Sequence, residues 1–218
     1  MNKKCPSCKL INFPTAENCA RCQSHLVEVQ NLQTNKSFLR SKIFKRAAVC
    51  LLVVIFSVLG FYFSLIFSAK RLSYEEGKTV ERAVDILEAK GFTGEVRMLR
   101  YFTVYRANDH WLNASVVKEN AYAATNYPLE IMTIYPDFFN RSTDDLERAA
   151  ILLHEAQHLK GADEKEAYEF VWKNRKKLGW IKENYRNSEV WQTVRTQTKE
   201  VVPNLFVCET NLYNDCTE

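Results

Sequence analysis

The sequence predicts an α+β domain carried behind one long apolar helix, with a small cysteine-rich head in front of it. Three observations predict this. Beyond residue 70 a helical period gives way to two aromatic and branched runs and then to helical periods again, the order expected when helices cover a small sheet. The twenty-three residues from Ala47 to Ala69 carry no charge. Ahead of that run, Cys5, Cys8, Cys19 and Cys22 form two CxxC pairs. With 46% apolar residues, 6 Gly and 5 Pro in 218 residues, collagen-like, low-complexity and wholly disordered chains are excluded. The net charge of +4 conceals a division: there are 11 basic and 2 acidic residues up to Arg71, and acidic residues outnumber basic ones from Leu72 onward. Opposite charge on the two halves suggests two surroundings, and no nucleic-acid partner is expected.

The head comes first, over residues 1–28. CPSC and CARC, ten residues apart, can each bend around one ion, and four thiolates complete the tetrahedron that Zn(II) accepts. So short a segment cannot build a sufficient core, so metal binding would supply most of its folding free energy. A structural zinc on Cys5, Cys8, Cys19 and Cys22 is the expectation. Lys4 to about Leu26 resembles the short zinc-ribbon heads at the N-termini of many membrane-anchored bacterial proteins. That resemblance implies a structural or partner-binding module, with a cytoplasmic protein as its partner. His25 is expected at the surface. Residues 29–46 have no apolar period and read as a polar, basic linker.

The uncharged run of residues 47–69 is long enough to cross a hydrocarbon core of about 30 Å, and too long for a signal-peptide core. It reads as a single transmembrane helix. Arg40, Lys42, Lys45 and Arg46 crowd its N-terminal side, which favours a cytoplasmic head and an extracytoplasmic domain over residues 70–218. In that oxidising setting Cys208 and Cys216 are expected to form a disulfide.

In the outer domain, Ser73 to Lys90 places Val80, Ala83, Val84 and Leu87 at helical spacing, and Gly91 follows as a stop. Glu95 to Arg106 and Leu129 to Tyr135 read as strands, the second ended by Pro136. Ala114 to Thr125 is open between strand and loop. A helix is expected from about Thr143 to Lys160, with Ser142 and Asp145 as a capping box. Further helices follow at Glu164 to Leu178 and Glu189 to Glu200, with Trp172, Trp180 and Trp191 in the core. Lys173, Arg175, Lys176 and Lys177 read as a solvated helix end.

The chemistry is concentrated between Ser142 and Trp172. His154 and His158, four apart, project from one helix face and can grip one ion. Glu155 lies about 100° around the helix from His154, where its carboxylate can reach a water on that ion without being a ligand. This is the HExxH arrangement of zinc peptidases, in which the metal acidifies the water and the Glu takes its proton. A catalytic zinc commonly takes three protein ligands, so a third must come from elsewhere. Asp163, Glu164 and Glu166 all follow the Gly161 turn.

HEAQHLKGADE resembles the extended metzincin stretch, with Gly161 in the glycine place and Glu164 where the third His stands. Glu164, Ala167 and Phe170 resemble the second ligand helix of gluzincins. Both imply Glu164 as third ligand, with Asp163 or Glu166 as alternatives. IYPDFF followed by the HExxH helix and GAD is similar to the aspzincin pattern, which implies Asp163. No Met follows Met132, so the metzincin methionine turn is missing, and Glu164 stands closer to His158 than gluzincins usually place their Glu. The resemblance covers Ile131 to Phe170 and implies a zincin-like metallopeptidase domain.

The expected activity is hydrolysis of a peptide or protein substrate, with Glu155 as general base and a catalytic zinc besides the structural one. The strand at Ile131 to Tyr135 is expected to wall the cleft with an open edge, and Tyr168, Tyr185 or His110 to supply an oxyanion donor. The competing expectation is an anchored binding or signalling protein, whose outer metal site is non-catalytic and whose zinc ribbon recruits a partner.

Overall fold

The structure is a computed structural model and describes residues 2–26, 42–112 and 121–207. The linker up to residue 41, the first part of the stretch left open between strand and loop, and the Cys208 and Cys216 pair lie outside the described residues. The chain divides into two compact units, Met1–Val54 and Ile55–Glu218, with the boundary inside the apolar helix.

In the head, β1 (Lys3–Lys4) and β2 (Ile11–Asn12) pair antiparallel. Each CxxC folds into the same knuckle. Lys9 N donates to Cys5 O at 3.0 Å and Cys5 N to Leu10 O at 2.9 Å; Gln23 N donates to Cys19 O at 3.0 Å and Cys19 N to Ser24 O at 2.9 Å. Lys9 and Gln23 occupy equivalent left-handed positions, both at φ 61°. The backbone therefore repeats with the two CxxC pairs. Cys5, Cys19 and Leu26 are the buried apolar residues here, too few to hold a fold without a crosslink or an ion.

Helix α1 (Lys42–Ser68) has 27 residues, about 40 Å at 1.5 Å per residue. It starts before the uncharged run and so takes in the end of the expected linker. It is long and apolar enough to cross a membrane, and only 11% of its most apolar window is buried.

The domain that follows α1 is a mixed α+β fold. Helix α2 (Tyr74–Ala89) opens on a capping box between Ser73 and Glu76, and Val80, Ala83, Val84 and Leu87 face the core as their spacing requires. Glu95 to Arg106 is not a strand throughout. It forms α3 (Thr93–Arg97), a π-turn over Met98–Phe102, and only then β3 (Val104–Arg106). Phe92, Val96 and Leu99 are buried at spacings of four and three, a helical stripe that outweighs the aromatic and branched content.

Strand β4 (Ala123–Asn126) comes from the end of the ambiguous stretch, and β5 (Ile131–Ile134) is the core of the second expected strand. The sheet order is β3-β5-β4, with β3 parallel and β4 antiparallel to β5. The strand expected to present an open edge is therefore the central, wholly buried one; among the described residues the edge strands are β3 and β4. Pro136 ends β5 and also opens α4 (Pro136–Asn140), where its fixed φ suits the first helical turn.

Helix α5 (Asp145–His158) runs through the middle of the domain, between α2 and α6 (Glu164–Leu178) and against β4. Its N-cap is Asp144, which accepts from Leu146 N and Glu147 N, both at 3.0 Å, so the expected Ser142 and Asp145 box does not form. Asp144 sits two residues nearer the first apolar residue and offers a charged acceptor to the helix N-terminus. Glu147, fully buried, accepts from Thr143 N at 2.7 Å, from Trp180 Nε1 at 3.4 Å and from the Ser188 hydroxyl.

The short α7 (Lys182–Tyr185) and then α8 (Glu189–Val201) complete the domain, and Trp172, Trp180 and Trp191 are core residues. Arg175 is not solvated. It is buried, with Nη1 donating to Trp172 O at 2.6 Å and the guanidinium 4.6 Å from the Trp172 ring centroid. Asp144→Ala should destabilise the domain by about 1 kcal/mol, whereas Ser142→Ala, which removes a buried hydroxyl without a partner among the described residues, should cost nothing measurable; urea unfolding checks both.

Candidate metal centre

Helix α5 presents His154 and His158 one turn apart, with ring centroids 4.8 Å apart and their Nε2 atoms 3.1 Å apart. The chain then reverses. Gly161 takes φ +85°, a conformation in which a side chain would be strained, and the place a Cβ would occupy is 3.8 Å from the Tyr127 ring. This turn sets Glu164 at the start of α6, directly across from the two rings. Its Oε2 is 3.3 Å from His154 Nε2 and its Oε1 is 3.5 Å from His158 Nε2.

A tetrahedral ion with bonds of about 2.0–2.1 Å to imidazole and carboxylate holds its donors about 3.3–3.4 Å apart. The two imidazole nitrogens and the nearer carboxylate oxygen of each pair lie close to that spacing, and the three residues could hold a metal ion. The Nδ1 of His158 lies 2.9 Å from Ala162 O, a contact that fixes the proton on Nδ1 and turns the Nε2 lone pair toward Glu164.

Asp163 and Glu166 are engaged elsewhere. Asp163 accepts from Glu166 N at 2.8 Å and Glu166 accepts from Asp163 N at 3.3 Å, a closed capping box at the start of α6. Of the three acidic candidates, Glu164 is the one brought to the histidines.

Glu155 is 5% exposed and stands outside this triangle, where Thr125 Oγ1 on β4 donates to its Oε2 at 2.7 Å. It borders two cavities. A narrow one of about 210 Å³ is lined by Tyr122, Ile151, His154, Glu164, Tyr168 and Val194; a wider one of about 610 Å³ is lined by Ala124, Thr125, Tyr127, His158 and Glu164. Thr125 carried no signal in the sequence, because AATN shows neither alternation nor a motif.

Of the three expected oxyanion donors, only Tyr168 lines the cleft. Its ring is 4.4 Å from that of His154, its hydroxyl donates to Gln197 Oε1, and burial pushes it above the ordinary tyrosine range. Tyr185 donates to Asp144 Oδ2 at 2.6 Å, roughly 16 Å along α5 from Glu155. His110 lines neither cavity.

In the head, Cys5 Sγ and Cys22 Sγ are 3.5 Å apart and Cys8 Sγ and Cys19 Sγ 3.4 Å apart, and all four sulfurs lie within 4.8 Å of one another. Zinc–sulfur bonds of about 2.3 Å set sulfurs about 3.8 Å apart, so this cluster too could hold a metal ion. The backbone N–H groups of Arg21 and Cys22 hold the Cys19 thiol down to about 6, toward the thiolate a metal needs. His25 is exposed and its Nδ1 lies 2.9 Å from Glu17 O, away from the cluster.

Glu164→Ala should lower the zinc affinity of the outer site by more than the roughly 10–100-fold that loss of a supporting hydrogen bond costs. Asp163→Ala and Glu166→Ala should leave its zinc content intact. Competition with a chelator and elemental analysis distinguish these outcomes. Without metal, the hydrogen bond to Glu164 raises His158 from 6.5 to about 9, and the hydrogen bonds from His154 and His158 pull Glu164 well below 4.5. The His158 contribution to stability is complete below pH 6.5 and lost as pH rises through 9, and that of Glu164 is present above pH 4.5. Chelated protein should therefore lose stability between pH 6.5 and 9, and Glu164→Gln should flatten that slope in thermal melts.

No family model matches the chain, and neither a curated protein nor a solved structure is significantly similar to it.

Proposed function

We propose that this chain is a membrane-anchored zinc metallopeptidase of the HExxH type, with a zincin-like outer domain. In this reading α1 crosses the membrane once, the zinc-ribbon head lies in the cytoplasm with a protein partner, and the outer domain acts on peptide or protein outside. The observation that carries it is the triangle of His154, His158 and Glu164 donors at 3.1–3.5 Å with buried Glu155 beside it but outside it. A purely structural site has no need of a fourth residue, an unligated carboxylate, in the adjoining cleft.

Zinc on His154, His158 and Glu164 would lower the pKa of a water it binds and polarise the scissile carbonyl. Glu155 accepts the water proton and delivers it to the leaving amine. Thr125 holds one of its oxygens and leaves the other for that transfer. Tyr168 is the donor assigned to the developing oxyanion: burial keeps its hydroxyl protonated, and release from Gln197 frees it to donate. An extended substrate backbone would lie along β4, an edge strand among the described residues, with one side chain in the narrow cavity.

Glu155→Gln tests the reading. It should retain both zinc ions and lose hydrolysis by about 10²–10⁴-fold in a peptide-cleavage assay. Undiminished cleavage would refute it. Unchanged function in cells with cleavage abolished would favour the anchored binding protein.

A further inference from the structure

The end of α1 is built into the outer domain. Leu65 is fully buried and Ala69 is 5% exposed. Ile66 O, one of the last carbonyls that the helix cannot pair itself, accepts from Arg106 Nε at 3.0 Å. Just beyond the helix, Lys70 O accepts from Ala107 N at 2.8 Å and Lys70 N donates to Asn108 Oδ1 at 2.5 Å. The following residue but two, Trp111, lies against the apolar helix itself. Its backbone N–H donates to Ser68 Oγ and its indole N–H to Ser64 Oγ, both at 3.2 Å, and its ring meets Phe61 edge-on at 5.9 Å.

Ser64 is one turn inside the end of α1, about 6 Å along the axis. Trp111 and Leu112 are still 52% and 47% exposed there, and Phe63 and Phe67 on the same stretch of α1 are exposed too. An indole at this level, with its N–H satisfied and its ring uncovered, suits the interface between headgroups and hydrocarbon.

The same contacts fix the height of the cleft. Arg106 on β3 is opposite Thr133 on β5, and Thr133 is opposite Ala124 on β4. Two strand spacings of about 4.8 Å place Ala124 about 10 Å from Arg106. Ala124 and its neighbour Thr125 line the cavity that holds Glu155, His158 and Glu164. One hydrogen bond and one row of the sheet thus separate the last turn of α1 from the cleft.

We propose that the site acts on polypeptides anchored in the same membrane, at bonds close to where they leave it, and that Trp111 and Leu112 rest in the lipid interface and hold the domain at that height. This rests on the peptidase and single-span readings above. A bilayer is the partner because the exposed surface continues directly from the apolar face of α1.

The test uses the full chain, zinc-loaded, in phospholipid vesicles. One substrate pool carries a transmembrane anchor followed by a long degenerate stretch; a second carries the stretch alone. Mass spectrometry should place the cuts in the anchored pool within roughly ten residues of the anchor, about 33 Å of extended chain. Trp111→Ala should spread them outward. Cuts scattered evenly along the stretch, or equal cleavage of the soluble pool, would overturn the substrate assignment while leaving the peptidase intact. Cleavage of neither pool would overturn both. Independently of catalysis, lipids brominated near the glycerol end should quench a component of tryptophan emission that Trp111→Phe removes, since the other three tryptophans are core residues. No quenching would overturn the lipid contact.

Discussion

The candidate site of the α+β domain depends on the reversal between α5 and α6. Two imidazoles one turn apart on a helix are a pair and not a site; a third donor has to arrive from a different element and be held. Gly161 makes that possible by taking a left-handed conformation hard against Tyr127, so that α6 starts with Glu164 facing back across α5. The capping box of Asp163 and Glu166 then fixes the first turn of α6 and removes the two neighbouring carboxylates from competition. The carboxylate that faces the two histidines is the acidic residue left over by the helix cap.

The two candidate metal sites stand in opposite relations to the fold. In the head, the sulfurs are themselves most of the buried apolar surface, so an ion there would substitute for a core. The α+β domain has a core of its own, with three buried tryptophans and apolar residues along nearly the whole of α5, and its donors lie at the edge of that core. A metal in the second setting would not be needed to supply a core. The burial of Glu155, and its single bond to the edge strand, belong to the same pattern: polar atoms at the core's margin are satisfied across element boundaries.

The sheet does two jobs with three short strands. One edge, β3, is tied through Arg106 to the end of α1, and the other, β4, carries Thr125 and borders the cleft. Because β5 pairs with both, a rigid row of backbone joins the apolar helix to the candidate site.

Much of this was legible in the residue order. Helices α2, α6 and α8 follow from a 3.6-residue apolar period with a polar cap and a stop, all local features. The pair of histidines with Glu155 and the four cysteines follow from spacing alone. Even the capping box that separates Glu164 from its neighbours is written as Asp163-x-x-Glu166. The stripe of Phe92, Val96 and Leu99 was also present, beneath an aromatic content that suggested a strand. What the order could not supply was pairing between distant segments. Ala123–Asn126 has no strand pattern of its own; it is extended because β5 offers a ladder and α5 a surface, and that decided which strand edge faces the cleft. Asp144 rather than Ser142 caps α5, and Arg175 is buried instead of solvated, for the same reason: helix ends and long side chains settle against partners that only the folded chain brings near.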